Sequence, residues 1–144
     1  MSDKVFIDTN IFVYAFLDTP NRTEDALKHQ KAQTFLGNFS DNEHVTISTQ
    51  VCNEYYSALR KHHVPDKDIQ HSLRSLMTVT QVEAVTDKTV QKAMEIRNRY
   101  GFSYWDSLII ASALENDCRI LYSEDMQDGQ EIKKRLKILN PFSL

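Results

Sequence analysis

Cysteine, glycine and proline are all scarce in this chain, whose 144 residues include 2 Cys, 3 Gly and 3 Pro. Two cysteines, Cys52 and Cys118, fall short of a disulfide framework, so both are expected as buried free thiols in a reducing compartment. With so few glycines and prolines there is no linker to divide the chain, and residues 1–144 are expected to form one domain. No apolar run approaches the about 20 residues of a membrane span. The opening MSDK carries an acid and leads into only a short apolar run, unlike a signal peptide. The expectation is a cytoplasmic protein with no membrane partner. A basic excess is missing too: 17 Lys and Arg stand against 20 Asp and Glu, a net charge of −3. Overall charge therefore gives no support for a nucleic-acid partner, although local fields can differ from the total. The histidines His29, His44, His62, His63 and His71 form neither an HExxH pattern nor a Cys/His metal spacing, and are read as surface residues.

What is present is alternation. Short apolar runs, KVFI, HVTIS, TQVEAVT, RILYS and LKIL, read as strands. Between them lie segments of helical period: NIFVYAFL, RTEDALKHQKAQTFLGNF, TQVCNEYYSALRKHH, a helix starting near Pro65 and Asp66, DKTVQKAMEIRNRY ending at Gly101, and SYWDSLIIASALEND. DMQDGQEIKKR reads as a loop and short helix. This order predicts an α/β fold, with a mostly parallel sheet covered by helices on both faces. In such sheets the functional crevice lies beyond the carboxyl ends of the strands.

Four acids stand in apolar company. Asp8 follows the first strand directly and is also placed to cap the next helix. Glu54 sits mid-helix beside Val51, Tyr55 and Ala58, where an unpaired carboxylate is costly, and Arg60 and Lys61 lie too far along the helix to be good partners. Asp106 lies in the first turn of the apolar helix, where SYWD also matches a capping box with Ser103 as cap. Asp125 follows the RILYS strand, in a polar SEDMQD run where Glu124 and Asp128 are competing choices. Converging on one sheet edge, such carboxylates would repel one another and take up protons unless divalent cations held them. Oxygen-only ligands favour Mg²⁺ or Mn²⁺, and phosphodiester hydrolysis is the chemistry that most needs such a site. Two bound divalent cations, adding four charges, would take the net charge from −3 to +1, so an acidic chain is still compatible with RNA or DNA.

VFIDTN, QVCNEYYSALRK, YWDSLIIASA and ILYSEDMQDG…ILNPF together resemble the PIN domain, most closely its VapC-type toxin ribonucleases, in the right order and over nearly the whole chain. The resemblance implies a three-layer α/β/α fold with a central, mostly parallel five-stranded sheet. It implies an endoribonuclease, dependent on Mg²⁺ or Mn²⁺, that is the toxin of a type II toxin–antitoxin pair. Asp8, Glu54, Asp106 and Asp125 would be the catalytic, metal-holding acids. Thr9, Asn10 and Ser123 would be polar supports, and Asp128 would assist Asp125. The implied partners are an RNA substrate, a cognate antitoxin protein and a second copy of the chain as a homodimer. Two other readings remain. One is a catalytically silent PIN-like binding module. The other is a Mg-dependent phosphoryl-transfer or receiver-like domain, against which stands Asn10, two residues after Asp8, where such a phosphatase would want a second Asp. The KKRLK run and Arg97 and Arg99 are open to two readings, phosphate contact or a solvated face. The pairs Tyr55–Tyr56 and Tyr104–Trp105 are likewise read either as packing or as platforms for bases or an antitoxin.

Overall fold

The computed structural model describes residues 4–18, 23–39 and 45–143. Arg22, where the second predicted helix opens, and His44, where the second predicted strand opens, lie outside them. The chain runs β1 (Val5–Ile7), α1 (Thr9–Phe16), α2 (Thr23–Gly37), β2 (Val45–Ser48), α3 (Thr49–Lys61), α4 (Asp66–Val79), β3 (Gln81–Glu83), α5 (Asp87–Tyr100), α6 (Tyr104–Glu115), β4 (Ile120–Tyr122), β5 (Glu131–Ile132) and β6 (Leu136–Leu139), with a 3₁₀ turn at Pro141–Ser143.

Among the described residues, six strands form one sheet in the order β3-β2-β1-β4-β6-β5. β1 is the middle of it, parallel to β2 on one side and to β4 on the other, with Phe6 opposite Thr46 and Leu121. Every residue of β1 and β2 is buried, as expected of inner parallel strands covered on both faces. From β1 the chain steps outward through β2 to β3, then returns to the other side of β1 for β4 and β6. Right-handed crossovers then put α1 to α4 on one face and α5 and α6 on the other. The packing agrees: α1 lies against α2 and α3, α3 against α4, and α5 against α6. The step from β1 to β4 is where the strand order reverses, and the crevice it opens lies at the carboxyl ends of those strands.

Local sequence explains the element ends. Ser48 caps α3, accepting from the Val51 amide. Thr86 and Thr89 cap α5 reciprocally, and Gly101, at φ 80°, ends it in the left-handed conformation. Pro65 precedes α4 with its φ already set. Cys52 and Cys118 are buried free thiols.

One expectation is corrected. The stretch read as loop and short helix carries a sixth strand, β5, paired antiparallel to β6 with Ile132 opposite Leu136. The five predicted strands are the five parallel ones; β5, only two residues long, is too short to show alternation. Its turn holds Lys133 and Lys134 at φ 52° and 56°, a conformation that Asn and Gly adopt more readily than Lys. Lys134→Gly is therefore expected to stabilise the fold by about 0.5–1 kcal/mol. The check is a higher urea midpoint at unchanged slope; an unchanged or lower midpoint refutes it.

Candidate active site

The site starts from the end of β1. The Asp8 amide donates to the Tyr122 carbonyl at 2.9 Å, so Asp8 extends the β1–β4 ladder by one bond. Its side chain then caps α1: Oδ1 accepts from the Thr9 amide at 2.7 Å. Oδ2 accepts from Ser123 Oγ at 2.9 Å, and the Ser123 amide donates to Leu139 of β6 at 2.9 Å. Capping and cleft-lining are thus performed by one carboxylate, which is 7% exposed.

The next residues tie the helices to this point. Thr9 Oγ1 donates to Glu54 Oε1 at 2.8 Å, joining α1 to α3. Gln50, one turn earlier on α3, donates Nε2 to Glu54 Oε2 at 3.2 Å and to the Trp105 carbonyl at 3.1 Å, joining α3 to α6. Asp106 lies in the first turn of α6, its amide held by the Ser103 hydroxyl at 3.1 Å. Asn10 Nδ2 donates to Asp125 Oδ2 at 2.6 Å, drawing the loop after β4 towards α1. Asp8, Glu54, Asp106 and Asp125 line one cleft of about 180 Å³, with Thr9 and Asn10 beside them.

Three of these acids are held above the usual carboxylate range. Burial raises Asp8 to about 7; the Thr9 and Ser123 bonds oppose this, and the Glu54 and Asp106 charges add to it. Burial and then the Asp125 charge raise Asp106. Burial and then Glu124 raise Asp125, against the lowering by Lys28 and Asn10. Among the described residues, no three His, Cys, Asp or Glu side chains meet the spacing of a formed metal site. The donor chemistry fits a hard cation nonetheless: the acids supply oxygens only, and a cation relieves the desolvation and repulsion that raise them.

The rest of the SEDMQD run divides cleanly. Glu124 pairs with Lys28 of α2. Asp128, expected to assist, does not line the cleft; its Oδ1 accepts from the Asn140 amide at 2.8 Å, because the loop folds back along β6. Asp125 is the acid of this run in the cleft. Two residues escaped the sequence reading. Gln50 had a readable signal, since it is four residues before Glu54 on the same helix face. Lys28 reaches Glu124 across 96 positions, with nothing local to reveal it.

Other candidates lie elsewhere. Tyr55 hydrogen-bonds Ser72 at 2.6 Å within the packing of α3 on α4, and Tyr56 donates to Asp66. Lys133 pairs with Glu95 and Arg135 with Asp117, so these two members of the KKRLK run serve the hairpin. Arg97 donates to the Phe102 carbonyl, and Arg99 lies over the Tyr100 ring. His62, His63 and His71 are exposed, whereas His29 is half-buried with Nδ1 on the Tyr14 carbonyl at 2.8 Å.

A carboxylate-lined cleft at the crossover of a mostly parallel, helix-flanked sheet defines the class. The family model of the PIN domain matches residues 5–133, and the chain belongs to the PIN domain family. Solved structures share the fold. A toxin–antitoxin complex from Klebsiella pneumoniae superposes with a TM-score of 0.69 at 17% identity, covering 96% of this chain and 98% of the other. The Mycobacterium tuberculosis toxin VapC20, which cleaves the sarcin–ricin loop, gives 0.66 at 22%, covering 85% and 90%. VapBC2 from Rickettsia felis, bound to a promoter DNA fragment, gives 0.68 at 19%, covering 94% and 97%. A comparison with curated proteins gives no match.

The raised Asp8 carboxyl makes stability depend on pH. Between its unfolded value near 4 and its folded value of about 7, the native state holds a proton that the unfolded chain has lost. Stability of the metal-free protein is therefore expected to fall as pH rises across that window, by up to about 4 kcal/mol, and to level off above it. Asp8→Asn should flatten this slope in urea unfolding at a series of pH values. A wild-type profile that rises through the window would disprove the assignment.

Proposed function

We propose that this protein is a divalent-metal-dependent endoribonuclease that hydrolyses RNA phosphodiester bonds, and that it is the toxin of a type II toxin–antitoxin pair. The observation that carries the reading is the meeting of Asp8, Glu54, Asp106 and Asp125 in one cleft, with three of them raised. Membership of the PIN domain family supports it, as do similar folds described as toxins and toxin–antitoxin complexes. On the same footing, the partners are an antitoxin protein and a second copy of the chain, in the cytoplasm. No helix among the described residues is long and apolar enough to cross a membrane.

Asp8 and Asp106 are the principal residues to hold Mg²⁺ or Mn²⁺, with Glu54 and Asp125 completing the acidic shell. When bound, such a cation supplies a water of lowered pKa and neutralises charge on the scissile phosphate. The chain's own part is orientation. Ser123 and the Thr9 amide fix both oxygens of Asp8, and each oxygen retains a second lone pair. Thr9 fixes one oxygen of Glu54 and Gln50 the other. Asn10 takes one oxygen of Asp125 and leaves the other free to face the cleft. The Asp8 proton, held near neutral pH in the metal-free protein, would be given up on binding a cation.

Asp8→Asn and Asp106→Asn are each expected to lower RNA cleavage in Mg²⁺ by at least about 100-fold, and chelation of divalent ions should abolish it. Induced expression of the wild type should arrest growth with accumulation of RNA fragments, and Asp8→Asn should not. Cleavage at the wild-type rate by either variant, or in excess chelator, would sink this reading.

A further inference from the structure

The first turn of α6 carries more than Asp106. Its neighbour Trp105 is the chain's one tryptophan and, at 62%, the most exposed large hydrophobic side chain among the described residues. Trp105 lies one turn before Ile109 on the same face of α6, and Ile109 lines the acidic cleft. Trp105 does not itself line the cleft, but its chain neighbour Asp106 and its helix neighbour Ile109 both do, so the residue sits next to it. Its position is also fixed. Tyr104 packs against it edge to face, with centroids 5.3 Å apart and planes at 75°. Its carbonyl is held by Gln50 Nε2, the same amide that holds Glu54. A large aromatic face is thus presented to solvent at a fixed place beside the four acids.

We infer that Trp105 is a stacking site for an unpaired nucleobase of the RNA strand that enters the cleft. The inference rests on the proposed nuclease function and adds to it a binding residue outside the four acids. Aromatic side chains bind such bases through their π-faces, whatever the base, because a base within a duplex has both faces covered. The surroundings favour a base over a protein partner. A protein-docking surface presents a contiguous apolar patch. Here the two aromatics before it, Phe102 and Tyr104, are half-buried against the core, and its other chain neighbours are the exposed Ser103 and the half-buried Asp106. A single exposed ring suits one base.

A single tryptophan makes the test direct, since its fluorescence reports from this one site. The Asp8→Asn protein, in Mg²⁺, is titrated with an unstructured oligoribonucleotide and, separately, with a fully paired duplex of the same length. Saturable quenching is expected with the single strand and not with the duplex. Trp105→Ala should weaken binding of the labelled single strand by about 5- to 140-fold, one base–aromatic stack of about 1–3 kcal/mol. In the otherwise wild-type enzyme it should raise KM far more than it lowers kcat, and Trp105→Phe, which keeps a ring, should recover most of the loss. Saturable binding without quenching, equal quenching by the duplex, or unchanged affinity in Trp105→Ala overturns the proposal. So does a Trp105→Ala protein that binds RNA normally and fails only to bind a protein partner. Wild-type cleavage of RNA without quenching removes the stacking site and leaves the nuclease reading standing. Quenching together with a wild type that does not cleave in Mg²⁺ does the reverse.

Discussion

The molecule is organised around a carboxylate that its fold buries. Asp8 lies at the centre strand's end, where burial alone pushes an acid towards its neutral form. Two donors, the Thr9 amide and Ser123 Oγ, keep it in place, and they come from opposite sides of the crossover between β1 and β4. Removing either strand would remove the site. The long apolar stretches on both sides of Asp8 are what make so unfavourable a placement possible. Phe6, Ile7 and Ile11 are completely buried, and their packing holds the carboxylate at the cleft.

The same economy governs the other acids. Capping groups and site groups are adjacent or identical: Asp8 caps α1, Ser48 caps α3 six residues before Glu54, and Ser103 caps α6 three before Asp106. A helix start needs a side-chain acceptor to satisfy its free amides. Placed at the carboxyl edge of the sheet, that requirement also fixes where an acid on the first or second turn will stand. Gln50 adds the cross-brace, one amide shared between Glu54 and the backbone of α6.

Much of this was legible in the sequence because it depends on local pattern. Strand and helix order follow from apolar runs and periodicity, and the five parallel strands were all visible that way. Ser103 and Gly101 mark helix ends by residue type. Asp8 and Asp125 were readable from their places after strands, and Glu54 and Asp106 from apolar neighbours. What escaped depends on pairing across the chain. The bond between Lys28 and Glu124, which leaves Asp125 as the cleft acid of its run, has no periodic trace. Asp128 reads as a possible ligand until the loop's return along β6 gives it the Asn140 amide. β5 was missed because two residues cannot alternate convincingly, and because a Lys-Lys turn does not look like a hairpin.

β5 has a further bearing on how the protein behaves among many copies of itself. A parallel sheet has two open margins, each a row of amides and carbonyls able to recruit a strand from another molecule. On one side β3 is three residues long and reads Gln-Val-Glu; on the other β5 has two, Glu-Ile, beside the turn Lys133-Lys134-Arg135. Both margins are too short and too charged to template a neighbour's strand. The interior strands can therefore be as apolar as the buried acid demands without making the molecule prone to stack into fibres.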